Sequence, residues 1–344
     1  MRVDLFAVQP YMTLDDYANE SAFFRKIDSL LQQTALLRDP ASQAALAVFP
    51  EDLATFLVIA NRVSLIGNAH TLDEAFARIG KHLFPSIIAT MAKYRTRSLK
   101  EAFFVWTAKD VWRIWYTTMT QLAKKYNITI VAGSALLPQN RLDPNPALFR
   151  AQSARIFNFS FTVDPRGQIL YSTRKVNLVP TQEDVLDLSP GPLDAAAAVC
   201  SWNQIPMATA ICYDGFRVPH TTGEPDFTPL MPLLDKNGAR IVAQPSANPW
   251  WWQEPWVFDQ TPRHRTRRQQ WWDEGAMAAL EDCQSIEVVI NPQLLLQLLD
   301  VHFDGTSVIL ARTPHDGIQI LAQSADYQAR PEAEEIVHAS WNFS

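Results

Sequence analysis

Three side chains able to do chemistry stand at or just beyond apolar stretches of this 344-residue chain. They are Glu51 in Val48-Phe49-Pro50-Glu51, Lys175 in Ser172-Thr173-Arg174-Lys175-Val176-Asn177-Leu178, and Cys212 in Ala210-Ile211-Cys212-Tyr213-Asp214. A thiol has the best intrinsic nucleophilicity near neutral pH, a carboxylate can take and return a proton, and an ammonium can stabilise developing negative charge. Taken singly, each has an ordinary reading: a loop carboxylate, a solvated lysine, a buried strand cysteine such as Cys200. Their chemistry requires elements that bring them together.

Those elements are legible as hydrophobic patterns. Residues 2–9 read as an opening strand, 15–37 as a helix, and 45–49 as a buried parallel strand ending at Pro50 and delivering Glu51 to a loop. Helical pieces at 72–92 and a long helix over 99–125 lead to a strand at 128–133. After a Pro/Asn-rich loop at 138–147, residues 154–163 and 168–173 form a hairpin around Asp164-Pro165-Arg166-Gly167. Strands are expected at 196–202, 206–212, 239–244, 285–290, 306–311 and 317–322, with helices near 226–236 and 263–281 and a Trp-rich loop at 249–256. Strands and helices interleave throughout and nothing marks a linker, so one layered α/β domain over 1–344 is expected.

Composition removes several function classes. Thirty Lys and Arg against 36 Asp and Glu leave a formal charge of −6, which offers no cationic field for nucleic acid. Three cysteines without a CxxC imply neither a disulfide framework nor a thiolate zinc site, and point to a reducing, cytoplasmic setting. The histidines at 70, 82, 220, 264, 302, 315 and 338 show no metal-binding spacing, so no metal or cofactor is expected. No GxGxxG, P-loop or GxSxG motif occurs, and no window is apolar enough to span a membrane. A Cys212/His220 pair has no evident orienting partner. The run Arg263–Arg268 reads as a solvated or salt-bridged helix face.

With these exclusions, the order Glu51, Lys175, Cys212 resembles the nitrilase, or carbon-nitrogen hydrolase, superfamily. The likeness extends to Val3–Gln9, Phe49-Pro50-Glu51, Ile130-Val131-Ala132-Gly133-Ser134, the hairpin from Asn158 to Lys175, Ile211-Cys212-Tyr213-Asp214, Gly238-Ala239-Arg240-Ile241 and Phe303-Asp304-Gly305-Thr306-Ser307. It implies an αββα sandwich, four-layered on dimerisation, in a homodimer or higher homo-oligomer. It also implies hydrolysis of a non-peptide carbon–nitrogen bond through a thioester. Cys212 would attack, Glu51 would be general base and then general acid, and Lys175 with the Tyr213 backbone N–H would stabilise the oxyanion. Glu183 matches the family's second glutamate, with Asp184 and Asp187 close by. The Cys-Tyr-Asp run is nearer to amidase branches than to nitrilases, so the expected substrate is a small amide or carbamoyl compound. A nitrile hydrolase and a non-catalytic binding member of the fold are the rivals. The lipoprotein acyltransferase branch is disfavoured because membrane spans are lacking.

Departures from the family pattern raise further expectations. Ala208 stands where Gly is usual, and Asp214-Gly215-Phe216-Arg217-Val218-Pro219-His220 is one residue longer than the usual run, so Arg217 or His220 is expected to face substrate. Ala278-Ala279-Leu280-Glu281-Asp282 lacks the usual arginine, which implies a rearranged salt bridge or interface contact. Asn248, Trp250 and Trp251, on the loop after strand 239–244, are pocket candidates, with Trp250-Trp251-Trp252 as an apolar wall or as core packing. A helical insertion at about 53–115 is read as a lid or an oligomer interface. Its Lys93, Arg95, Arg97 and Lys100 beside Phe103, Phe104 and Trp106 also suggest a membrane-facing element.

Overall fold

A computed structural model describes residues 1–140, 146–259, 264–313, 315 and 317–343. In chain order its strands are β1 (Arg2–Gln9), β2 (Tyr11–Thr13), β3 (Ala44–Val48), β4 (Thr129–Val131), β5 (Ala135–Asn140), β6 (Ala151–Val163), β7 (Ile169–Arg174), β8 (Cys200–Trp202) and β9 (Ile205–Thr209). They continue as β10 (Ile241–Ala243), β11 (Ser246–Ala247), β12 (Val288–Asn291), β13 (Gln293–Leu298), β14 (Val301–Phe303), β15 (Val308–Thr313), β16 (Gly317–Gln323) and β17 (Glu335–Asn342). The helices are α1 (Glu20–Leu36), α2 (Val63–Ile66), α3 (Leu72–His82), α4 (Phe84–Tyr94), α5 (Leu99–Tyr126), α6 (Leu193–Ala196), α7 (Met231–Lys236), α8 (Arg267–Glu274) and α9 (Ala276–Leu280).

Among the described residues, one sheet runs β17-β1-β3-β4-β6-β5, with β7 also paired to β6, and a second runs β16-β15-β12-β10-β9-β8. Strand alternation explains why they stack. Val3, Leu5 and Ala7 of β1, with Leu46 and Val48 of β3, pack against Met207, Ile241, Val288, Ile290 and Ile309 of the second sheet. The opposite faces carry Phe6, Val8, Ala45 and Ala47 against α1 and α5, and Ala208, Val242, Val289 and Leu310 against α7 and α9. The inner strands β1, β3, β10 and β12 are thus buried on both faces, which is why they read as continuous apolar runs. The result is helix, sheet, sheet, helix: the expected αββα sandwich.

Most elements fall where expected, and the differences have local causes. The first helix begins at Glu20 because Asn19 caps it, accepting from Ala22 N at 3.0 Å, while 14–17 form a short 3-10 turn. Residues 138–140, expected in a loop, complete β5; this strand is the last of its sheet's order, where Pro138 removes no inner ladder bond. The helix expected over 263–281 breaks at Gly275, whose backbone is extended and where a Cβ would meet Trp271 O at 2.4 Å. Residues 193–196 are helical, so the strand expected from 196 begins at Cys200, and the helix near 226–236 shortens to α7. The strand expected over 206–212 ends at Thr209, leaving Cys212 in a 3-10 turn. β13, β14 and β17 were not anticipated.

The long helix α5 continues through the expected insertion boundary at 115. Ser98 caps its start and left-handed Asn127 ends it, and its Trp115 indole donates to Ala132 O at 3.0 Å. Phe103 and Phe104 are buried, so the aromatic face suggested for membrane contact packs inward. No helix among the described residues is long and apolar enough to cross a membrane.

Candidate active site

Glu51 and Cys212 each sit three residues beyond the C-terminal end of a parallel strand, β3 and β9, and Lys175 follows β7 directly. Gly133 lets the chain pass close to the loop bearing Glu51: its φ is +73°, and a Cβ there would lie 2.2 Å from Pro50 O. Cys212 has φ 46°, a conformation that costs a non-glycine residue about 1–3 kcal/mol and turns its side chain off the strand direction. Gln244 Nε2 holds the turn by donating to Cys212 O at 2.8 Å.

These three side chains and Glu183 meet in one buried cluster. Lys175, 1% exposed, donates to Glu51 Oε1 at 2.8 Å and to Glu183 Oε2 at 2.6 Å. Asn158 Nδ2 bridges the same carboxylates, at 2.8 Å to Glu51 and 3.0 Å to Glu183. Glu51 Oε2 accepts from Ala247 N at 3.2 Å, and Glu183 Oε2 from Val179 N at 2.9 Å. The Cys212 thiol lies on the same cavity as Glu51, close enough for the two groups to shift each other's protonation, and donates to Ala247 O at 3.7 Å. Asp187 instead accepts from Ser98 Oγ at 2.7 Å, which leaves Glu183 as the carboxylate on Lys175. The Tyr213 N–H has no acceptor among the described residues.

The electrostatics follow from burial. Desolvation lifts Glu51 above the ordinary carboxylate range against the pull of Lys175. Burial alone would lower Lys175, yet Glu183 and Glu51 outweigh it and raise the ammonium well above its ordinary value. Burial and the Glu51 charge push the Cys212 thiol far up, so it rests protonated and needs a base to attack. Burial also pushes Asp52, on the same cavity, up to about 7.

The cavity these groups line is small, about 110 Å³, and is lined also by Val179, Leu186, Pro249, Trp250, Phe303 and Arg267. Leu186 also lines a larger, mostly apolar cleft of about 750 Å³ walled by Phe76, Phe84, Ile87, Phe103 and Phe104 of the helical insertion. Lys100 Nζ donates to Val185 O at 2.5 Å, tying the turn bearing Leu186 to α5.

Of the Trp run, Trp250 lines the cavity beside Cys212, Trp251 is 59% exposed and stacks on His302 at 4.0 Å, and Trp252 is buried against Trp271. The wall is therefore one ring. Asn248 does not line the cavity; it donates to Asp304 O at 3.0 Å and accepts from Arg267 Nε at 2.9 Å. Arg217 lies outside the cavity, paired with Glu281 at 3.0 Å and Asp282 at 2.8 Å, because solvated carboxylates on α9's far end draw it away. His220 is buried, stacked on Tyr213 at 3.9 Å, and does not line the cavity either.

Two residues of the site were missed. Asn158 is signalled only by an amide interrupting the apolar run of β6. Arg267 corrects the reading of the basic run: Arg263 lies outside the described residues, Arg265 pairs with Glu274 at 2.7 Å and Arg268 is exposed, but Arg267 is 2% exposed and faces the cavity. As the first residue of α8, it is turned inward by packing among Phe216, Trp250, Trp256 and Trp271, which single-sequence charge patterning cannot show.

Set beside known proteins, the chain matches a sequence profile of the carbon-nitrogen hydrolase family over residues 7–219. The chain belongs to that family and is a carbon–nitrogen hydrolase. No curated protein matches it in sequence. An amidase from Nesterenkonia sp., in a structure showing acrylamide added to its active-site cysteine, aligns with 99% of this chain and 93% of its own at TM-score 0.54 and 15% identity. Nit3 of Saccharomyces cerevisiae, a member of branch 10 of the nitrilase superfamily, aligns at TM-score 0.53 and 18% identity over 98% and 89%. A carbon-nitrogen hydrolase from Helicobacter pylori gives 0.57 and 16% over 99% and 90%. At these identities the likeness establishes the fold.

Proposed function

We propose that this chain is an amidase that cleaves a small amide or carbamoyl compound through a Cys212 thioester, with Glu51, Lys175 and Glu183 as the other catalytic groups. The observation that carries this is the convergence on one cavity of the Cys212 thiol, Glu183 and a buried Glu51 already held by Lys175 and Asn158. Glu51 takes the thiol proton as Sγ bonds to the carbonyl carbon, and the oxygen becomes an oxyanion. The Lys175 ammonium and the unclaimed Tyr213 N–H stabilise that charge. The tetrahedral intermediate collapses, breaking the C–N bond, and Glu51 returns its proton to the leaving ammonia or amine. Water, deprotonated by Glu51, then cleaves the thioester and frees the acid and the thiol. Glu183 keeps Lys175 charged and aimed.

The test is ammonia release from a panel of short amides, ureido compounds and nitriles, with mass spectrometry of the trapped acyl-enzyme. Wild type is expected to release ammonia from amides faster than from the matching nitriles, and C212A to lose at least about 10⁴-fold of that rate. A chain that forms no adduct, and whose Cys212 alkylates no faster than Cys200 or Cys283, would overturn the enzyme mechanism. Faster release from nitriles would replace the amidase reading with that of a nitrilase.

A further inference from the structure

The catalytic cavity contains a second buried cation that the hydrolytic steps leave unused. Arg267 is 2% exposed, yet no carboxylate pairs with it among the described residues. Its Nε donates to the neutral amide of Asn248 at 2.9 Å and its Nη1 to the neutral amide of Gln270, whereas Nη2 has no acceptor among the described residues. Its guanidinium carbon lies 4.3 to 5.7 Å from the ring centroids of Trp256, Trp250, Trp271 and Phe216. Glu274 is nearby, but its carboxylate is held by Gln270 Nε2 at 2.6 Å and by Arg265. A guanidinium out of water with no counter-ion is costly, and a ring cage offsets only part of that cost.

Burial brings Arg267 down to about 9, which still leaves it cationic near neutral pH. Lys175 cannot share the duty, since Glu51 and Glu183 claim its charge. Resting on the hydrolytic reading above, we infer that the substrate carries a carboxylate, a few bonds from the scissile carbon, that ion-pairs with Arg267. Planar guanidinium and carboxylate match in donor and acceptor geometry, and the free Nη2 supplies an open donor. A cavity of about 110 Å³, well below the roughly 300–1,000 Å³ of drug-sized pockets, limits the substrate to a short chain.

The experiment compares near-isosteric pairs on the full chain: succinamate against butanamide, with the carboxylate on the acyl side, and N-carbamoylglycine against propylurea, with it on the amine side. In at least one pair the acid is expected to exceed its neutral partner about 100-fold or more in kcat/KM, chiefly through KM. R267M and R267K should collapse that ratio towards one, with R267K retaining more because it keeps the charge. Neutral partners turned over as well as the acids by wild type would overturn the inference while leaving the amidase reading intact, whether or not the variants fold. A second readout is protection of Cys212 from iodoacetamide by succinate or by butanamide, neither of which needs turnover. If no amide or urea is hydrolysed but succinate protects better, the Arg267 site stands and the hydrolytic reading fails. If nothing is hydrolysed and neither protects, both fail.

Discussion

Lys175 and Arg267 border the same small cavity, each almost wholly buried, and the protein treats them in opposite ways. Lys175 touches two carboxylates that are themselves clamped by Asn158 and by backbone N–H groups, so its cluster is closed on itself. Arg267 touches amide oxygens and aromatic faces, and one of its terminal nitrogens is unclaimed. A buried charge satisfied from within holds geometry, whereas one left partly unsatisfied is open to what enters from outside.

The contrast is broken most directly by removing each cation. K175M leaves two buried carboxylates facing each other without a counter-charge, so it is expected to cost about 3–5 kcal/mol of stability by urea unfolding. R267M strands only neutral oxygens and should cost clearly less; an equal loss would mean that Arg267 is as structurally committed as Lys175. Within the closed cluster, E183Q keeps the shape but weakens the hold on the Lys175 ammonium. A kcat loss of about 10²-fold with the fold intact is expected from that misplacement.

A smaller effect concerns pH. Asp52 is pushed up to about 7 in the folded chain from about 3.9 unfolded, so the folded state holds its proton more tightly. Its stabilising contribution is complete below about pH 4 and lost as pH rises to about 7. D52N should therefore show a shallower fall of urea midpoint between pH 4 and 7 than wild type. A parallel fall would remove Asp52 from the cavity's charge balance. The smallest change is expected from W251A. Trp251 stacks on His302 in solvent, so stability should move by less than about 0.5 kcal/mol and substrate preference not at all, unlike W250A, which should alter preference.

What could be read in the sequence divides along similar lines. β1, β3, the β6–β7 hairpin and α5 declare themselves through continuous apolar runs, turn residues and helical spacing, because local pattern and burial agree there. β17 is half-exposed along much of its length and exists through its register with β1, a pairing across more than 300 residues that no local window contains. Glu51, Lys175, Glu183 and Cys212 were found by motif order. The clamp of Asn158 and the inward turn of Arg267 were not, since an asparagine in a strand and an arginine in a basic run are each commonplace until the tertiary packing is known. Cys212 illustrates the same limit: the apolar run through Ile211 reads as strand, yet the left-handed turn at the cysteine ends the strand early.

Leu186 stands between two spaces of very different size, the reactive cavity of about 110 Å³ and the apolar cleft of about 750 Å³. It belongs to a three-residue 3-10 turn rather than to a strand, and its backbone N–H donates to Glu183 O at 3.2 Å. Leu186 is thus a loop side chain that the two spaces share. L186A is therefore expected to raise turnover of amides with longer apolar acyl chains relative to short ones, with the groups around Cys212 unchanged.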